Sequence, residues 1–273
     1  MKDKIGVLLV QVGYDKDPGK VLSKAVSMVD EAKKLYGMLD IVCMPELYYE
    51  GDRDTFLDAW RACSRRNDVN IVTGSMPVYD APIKTSLADD QTPDVKECDR
   101  LSLAKPTNTT YIIDRKGNVL GDYSKCHLFD AYEDKESERL TPGDHLGIFD
   151  LDIGKIGVLI CYDIRFSEYV RTLALKGIDV LMVPAAFYRP RTDDWEVLLR
   201  AASLYNIMYV CAANQFGKKC AGRSSVADPD GRIVARASDC ECTVYHVLDM
   251  DFQKHMREVN PSYSNRRPDL YDI

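Results

Sequence analysis

The residues in this sequence most suited to chemistry gather around a thiol. Gly157-Val158-Leu159-Ile160-Cys161 is an apolar run that reads as a strand, and Tyr162-Asp163-Ile164-Arg165-Phe166-Ser167-Glu168 turns from it into a helix. A cysteine at such a turn lies near backbone N–H groups and the positive end of a helix dipole, which lower a thiol's pKa and can supply oxyanion donors. Taken alone, a cysteine ending an apolar strand is more often a packing residue. Two further segments change that reading, because each places a polar group directly after a strand: Val42-Cys43-Met44-Pro45-Glu46, and Gly121-Asp122-Tyr123-Ser124-Lys125-Cys126-His127-Leu128-Phe129. Glu46 by itself could cap a helix or form an ion pair, and Lys125 by itself could be a solvated charge. Gathered at one edge of the sheets, carboxylate, ammonium and thiol would serve as base, electrostatic stabiliser and nucleophile.

The elements that must position them alternate along the chain. A strand at 5–12, an amphipathic helix at 18–39 and a strand at 41–44 make a βαβ opening, followed by a helix at 53–66 and a strand at 70–79. Residues 80–106 turn polar and Pro-bearing and read as an exposed excursion that could carry a small hairpin. Strands at 109–114 and 119–123 flank the turn Arg115-Lys116-Gly117-Asn118, and strands at 224–227 and 232–235 flank Asp228-Pro229-Asp230-Gly231, so two hairpins are expected. Between these hairpins come strands at 156–160, 179–183 and 207–213 and helices at 167–176 and 193–204, and a strand at 243–248 follows the second. The chain shows no repeat at periods of 20–50 residues and no low-complexity linker. The expectation is a single α/β domain over 1–273 with mixed sheets, and a tail at 260–273 too polar to form its own core, packed across a neighbour or the body.

Composition narrows the function classes. The 273 residues are 45% hydrophobic and 29% charged, as in a soluble globular protein, and no apolar run approaches the roughly 20 residues that span a bilayer. A net charge of −7 argues against a nucleic-acid partner. The amino terminus reads as a first strand, not a signal peptide, and nine scattered cysteines without a C-x-x-C pair fit a reducing, cytoplasmic setting. Four histidines without H-E-x-x-H leave a metal site unsupported, and Cys240-Glu241-Cys242 reads as two buried or half-buried thiols on one strand face. No phosphate-binding glycine loop is present, so the expected chemistry is cofactor-free.

In their order, these segments resemble the nitrilase superfamily of carbon–nitrogen hydrolases, over nearly the whole chain. The similarity to its amidase branch takes in Lys125-Cys126-His127-Leu128-Phe129-Asp130, Leu140-Thr141-Pro142-Gly143-Asp144, Cys161-Tyr162-Asp163-Ile164-Arg165-Phe166, Asp194-Trp195-Glu196, Gly222-Arg223-Ser224-Ser225-Val226 and Arg267-Pro268-Asp269-Leu270-Tyr271. The resemblance implies a four-layer αββα sandwich, Cys161 as nucleophile, Glu46 as general base and Lys125 beside the tetrahedral intermediate. It also implies a second glutamate after the lysine motif, for which Glu136 is the best match and Glu138 the rival. Arg165, four residues beyond Cys161, would point into the pocket and hold an acidic substrate end, or else pair with an acid such as Glu168. A backbone N–H at or next to Tyr162 would serve the oxyanion, and Trp195 is a core or interface aromatic that could also wall the pocket. The family pattern makes His127 structural. Ser167 stands where proline is usual and Tyr205 where an acid is usual, while 47–52 and 80–106, which border the substrate entrance in such enzymes, are atypical.

The resulting expectation is a cysteine-dependent hydrolase of a small linear amide bearing a carboxylate, broadly an ω-amidase, working through a thioester and releasing ammonia. A nitrilase and an N-carbamoyl amidohydrolase are the alternatives within the family; a catalytically silent thiol-sensing or partner-binding protein is the alternative outside it. Family habit implies a homodimer or higher homo-oligomer.

Overall fold

Two six-stranded mixed sheets pack face to face, with helices on both outer sides. The computed structural model describes residues 2–79 and 105–270, so nearly all of the excursion at 80–106 and the last three residues of the tail lie outside the described residues. The first half runs β1 (Lys4–Gln11), α1 (Pro18–Leu35), β2 (Ile41–Cys43), α2 (Arg53–Asn67), β3 (Asn70–Val78), β4 (Thr107–Ile113) and β5 (Val119–Ser124). A short helix, α3 (Glu136–Arg139), leads to the second half. This runs β6 (Gly147–Leu151), β7 (Gly154–Val158), a 3-10 turn (Cys161–Arg165), α4 (Ser167–Leu175), β8 (Val180–Ala185), α5 (Thr192–Asn206), β9 (Tyr209–Asn214), β10 (Ser225–Ala227) and β11 (Ile233–Arg236). The chain then returns through β12 (Cys242–Asp249) and α6 (Met250–Val259).

The strand orders are β12-β1-β2-β3-β4-β5 and β11-β10-β9-β8-β7-β6. In each sheet three parallel strands, joined by two helical crossovers, are followed by two antiparallel ones. The duplication reaches individual side chains: Ser64 Oγ at the end of α2 donates to Val69 O at 2.9 Å, and Ser203 Oγ at the end of α5 donates to Met208 O at 2.9 Å. A search for short repeats does not find it, because each unit spans half the chain.

Burial explains the layering. On β1, Ile5, Val7 and Leu9 join the core between the sheets, whereas Leu8 and Val10 join the cluster under α1 and α2. A strand covered on both faces reads as a continuous apolar run, which is what Ile5 to Val10 is. Helix α1 begins where Asp17 accepts from Lys20 N and Pro18 presets the first turn, and it buries Val21, Leu22, Ala25, Val29 and Ala32 as one stripe. On the opposite side of the molecule α5 buries Trp195, Leu199, Ala202 and Asn206. The result is the expected α/β four-layer αββα sandwich. No helix among the described residues is long and apolar enough to cross a membrane.

Among the described residues, β6, α3, α6 and the 3-10 turn Arg189–Arg191 go beyond the expected elements. The strand ahead of the thiol ends at Val158, and the residues after it form a 3-10 turn where a first α-helical turn was expected. Cys240 lies exposed in the bend before β12, so only Cys242 is on the strand and the expected shared face does not form. In the described part of the tail Tyr263 packs against the core and lies under the Arg171 guanidinium at 5.2 Å, while most of its neighbours in the segment are exposed.

Candidate active site

The chain leaves β2, β5 and β7 at the same edge of the two sheets, and those three exits deliver Glu46, Lys125 and Cys161 to one place. Ligand clefts in α/β sheets form outside such carboxyl ends, because there the crossovers part. A cavity of about 190 Å³ opens here, lined by Glu46, Lys125, Glu136, Cys161, Tyr162 and Arg165 together with Phe129, Phe187 and others. Lys125 is 1% exposed, Glu46 2% and Glu136 8%. Lys125 Nζ lies 2.9 Å from Glu46 Oε1 and 2.8 Å from Glu136 Oε2, so the ammonium joins two carboxylates out of water. Glu46 also accepts from Asn108 Nδ2 at 2.8 Å and from the Ala186 N–H at 2.8 Å, and Glu136 from the Phe129 N–H at 2.8 Å. Of the two rival glutamates, Glu136 is the one against Lys125; Glu138 is exposed.

The Cys161 thiol, Lys125 and Glu136 respond to this crowding. Burial pushes the Cys161 thiol well above its ordinary pKa, and the Glu46 carboxylate adds to that against the opposing pull of Lys125 and the Ala186 N–H. This overturns the expected depressed thiol: desolvation and an adjacent carboxylate outweigh the turn's N–H groups. Burial would lower the Lys125 pKa, but the carboxylates of Glu46 and Glu136 outweigh it and the net shift is upward. Burial raises the Glu136 carboxyl, opposed by Lys125 and assisted by Glu46. A protonated thiol therefore sits beside a hydrogen-bonded carboxylate and a fixed cation. Such a set can take a proton from sulfur only as the sulfur attacks, and can hold negative charge as it develops.

The backbone is strained where the side chains must point. Cys161 has φ 48° and Leu47, next to Glu46, has φ 45°, each costing about 1–2 kcal/mol for a residue with a Cβ. At Gly74, φ is +69° and a Cβ would come within 2.2 Å of Pro45 O, so only glycine lets β3 pass under the turn that aims Glu46. Asp163 holds the thiol's turn. Fully buried, it accepts from Ile160 N (3.0 Å) and Tyr123 Oη (2.8 Å) on one oxygen, and from His127 N and Nδ1 (both 2.8 Å) on the other. One carboxylate thus ties the residue before Cys161 to the segment two residues past Lys125. Gln215 Nε2, just past β9, donates to Glu46 O at 2.8 Å and so ties the turn that carries Glu46 to the other sheet. None of Asn108, Asp163 or Gln215 was singled out from sequence, although Asp163 stands in the quoted motif.

The remaining candidate residues divide between the cavity and the core. Trp195 is 1% exposed, does not line the cavity, and donates from Nε1 to Arg223 O at 3.0 Å. It heads the buried stripe of α5 and lies 5.0 Å from the ring of Phe187, one of the aromatics that do line the cavity. Arg165 does reach the cavity, but its acidic partner is Asp194 at 3.0 Å, not Glu168. Tyr162 lines the cavity and packs edge-on to Phe129 and Phe166. His127 stands outside it, stacked 3.7 Å from Phe166. Among the described residues no three His, Cys, Asp or Glu side chains come together as metal ligands would.

Comparison with known proteins places this arrangement. The 2-oxoglutaramate amidase of Bacillus subtilis (strain 168) is 31% identical, over 99% of this chain and all of that protein. Omega-amidase NIT2-A of Xenopus laevis is 36% identical over 61% of this chain and 64% of the frog protein. Among solved structures, Saccharomyces cerevisiae Nit3, described as a member of branch 10 of the nitrilase superfamily, superposes with a TM-score of 0.83 at 27% identity and 98% coverage of both chains. The carbon-nitrogen hydrolase family pattern matches residues 7–257. With that match spanning nearly all of the two-sheet sandwich and every residue around the thiol, the chain belongs to the carbon–nitrogen hydrolase family.

Proposed function

We propose that this chain hydrolyses the C–N bond of a small linear amide whose far end carries a carboxylate, as an ω-amidase does. The observation that supports this best is the enclosed ion network of Glu46, Lys125 and Glu136 facing the Cys161 thiol, with an arginine, Arg165, across the same cavity. Glu46 takes the proton from Cys161 as sulfur attacks the amide carbon, and the same carboxylic acid gives it to the departing ammonia, leaving a thioester. Water, activated in turn by Glu46, then releases the acid. Lys125 and the Tyr162 N–H hold the oxyanion of each tetrahedral intermediate, so their stabilisation grows as charge appears. Glu136 holds the lysine as a second carboxylate, so that Nζ stays between it and Glu46. Arg165 takes the carboxylate of the substrate and sets how deeply the amide enters.

The relatives' names favour amides over nitriles or carbamoyl compounds, and the intact trio of Glu46, Lys125 and Cys161 disfavours a silent binding protein. The test is ammonia release from ω-monoamides of dicarboxylic and oxo-dicarboxylic acids, neutral amides, nitriles and N-carbamoyl amines, with Cys161→Ala as the blank. A carboxylated amide is expected to give the highest kcat/KM. Preference for a nitrile or carbamoyl compound would overturn the substrate reading, and no turnover of any would overturn the enzyme reading.

A further inference from the structure

The cavity carries more positive charge than one anchoring arginine requires. Arg139, Arg165, Arg191 and Lys219 all line it. Arg139 is engaged by Asp134 at 2.6 Å. Arg165 and Arg191 instead share one acceptor, Asp194 Oδ2, at 3.0 and 3.7 Å. Both guanidiniums are held by aromatic rings that line the same cavity: Arg165 lies 5.4 Å over Phe187 and Arg191 4.2 Å over Tyr132. Two cations on a single carboxylate oxygen leave one net positive charge. A guanidinium also presents five N–H donors in a rigid fork, of which one shared oxygen engages only a part. Because both arginines reach the same atom, their N–H groups are close enough to be spanned by one further carboxylate.

We infer that Arg165 and Arg191 form a two-armed clamp for the substrate carboxylate, and that Asp194 is a built-in competitor that sets how tightly the clamp holds it. This rests on the carboxylated-amide reading above and adds to it a second arm and a tuning residue. Arg191 comes from a different element than Arg165: it ends the 3-10 turn Arg189–Arg191 ahead of α5, whereas Arg165 ends the turn that begins with the nucleophile. A substrate carboxylate held by both would tie the nucleophile's turn to the turn ahead of α5, and fix the distance from carboxylate to amide. The clamp therefore selects chain length as well as charge. A neutral amide gains nothing from it, and Asp194 costs it nothing.

The test compares kcat/KM for succinamate with that for butyramide, which has the same number of carbons and a methyl in place of the carboxylate, in the wild type and in Arg191→Gln, Arg191→Lys and Asp194→Asn. The succinamate/butyramide ratio is expected to fall about tenfold in Arg191→Gln, as for loss of one charge-assisted contact at a part-exposed site, and less in Arg191→Lys, which keeps the charge and loses the fork. In Asp194→Asn the ratio is expected to rise, chiefly through a lower KM for succinamate. Opposite signs at Arg191 and Asp194 are the signature, since a merely structural ion pair would move the ratio the same way in both or in neither. If the wild type prefers succinamate but the ratio is unchanged or shifts with the same sign in both, the clamp is overturned and the proposed function stands. If the wild type prefers butyramide, both fall together.

Discussion

Replacing Lys125 by Met removes the ammonium but keeps an unbranched chain of similar length in a site where the lysine is 1% exposed. Glu46 and Glu136 then lose the cation that lies 2.9 and 2.8 Å from them. Breaking a buried ion pair by removing one partner costs about 3–5 kcal/mol. Two features place this case near the lower end: Glu46 keeps its bonds from Asn108 and Ala186, and Glu136, already raised by burial, can take up a proton. About 3 kcal/mol corresponds to a melting point lower by about 6–12 °C for a chain of this size. The pH dependence has a definite sign. Without the cation, the folded pKa of Glu136 rises further above its unfolded value. A carboxyl shifted that way favours folding below the unfolded pKa, and the advantage disappears as pH climbs through the folded one. The stability gap to wild type should thus narrow toward pH 5 and widen toward pH 8. Loss of one oxyanion donor alone lowers kcat by about 10²–10³-fold. The assays are calorimetry across that pH range and ammonia release at saturating substrate well below the melting point. A kcat within about tenfold of wild type alongside a lowered melting point would make Lys125 structural only and refute the mechanism. An unchanged melting point would refute the buried network.

Two further perturbations probe the supports of the site. Asp163→Asn turns one acceptor oxygen into a donor, so two of the four donors from Ile160, Tyr123 and His127 lose their partner at about 1–3 kcal/mol for a buried unsatisfied group. Its kcat should fall more than KM changes, and an unaltered kcat in a destabilised variant would show that the turn does not position Cys161. Gly74→Ala forces a Cβ to within 2.2 Å of Pro45 O at a φ of +69°. Its denaturant midpoint should drop and turnover should fall with it as Glu46 is displaced; a midpoint equal to wild type would contradict the close approach.

Much of the fold was legible because its signals are local. Continuous apolar runs marked β1, β8 and β9, and Gly-bearing turns marked the β4–β5 and β10–β11 hairpins. Helix α6 also had a readable start, since Asp249 accepts from Asp251 N and Phe252 N as an N-cap should, but its stripe was not recognised. The core reading of Trp195 also follows from its spacing to Leu199, Ala202 and Asn206, which puts it on the core face of α5 and away from the pocket wall. Strand β6, five residues long at a sheet edge, has too little pattern to stand out.

The sequence by itself determined which groups stand at strand ends, and so that a carboxylate, an ammonium and a thiol could meet at one edge of an α/β sandwich. That follows because strand and helix periods are set by neighbours within a few residues. Tertiary structure decided what those groups are to one another. Lys125 meets Glu46 from 79 residues away, Arg165 turns to Asp194 across 29, and Asp163 reaches back 36 to His127. The direction of the thiol's pKa shift was likewise decided by burial and by a carboxylate from the other sheet, neither of which is a property of the turn that carries it. Pair energies depend on distance and on exclusion of water, and only the packed sheets specify both.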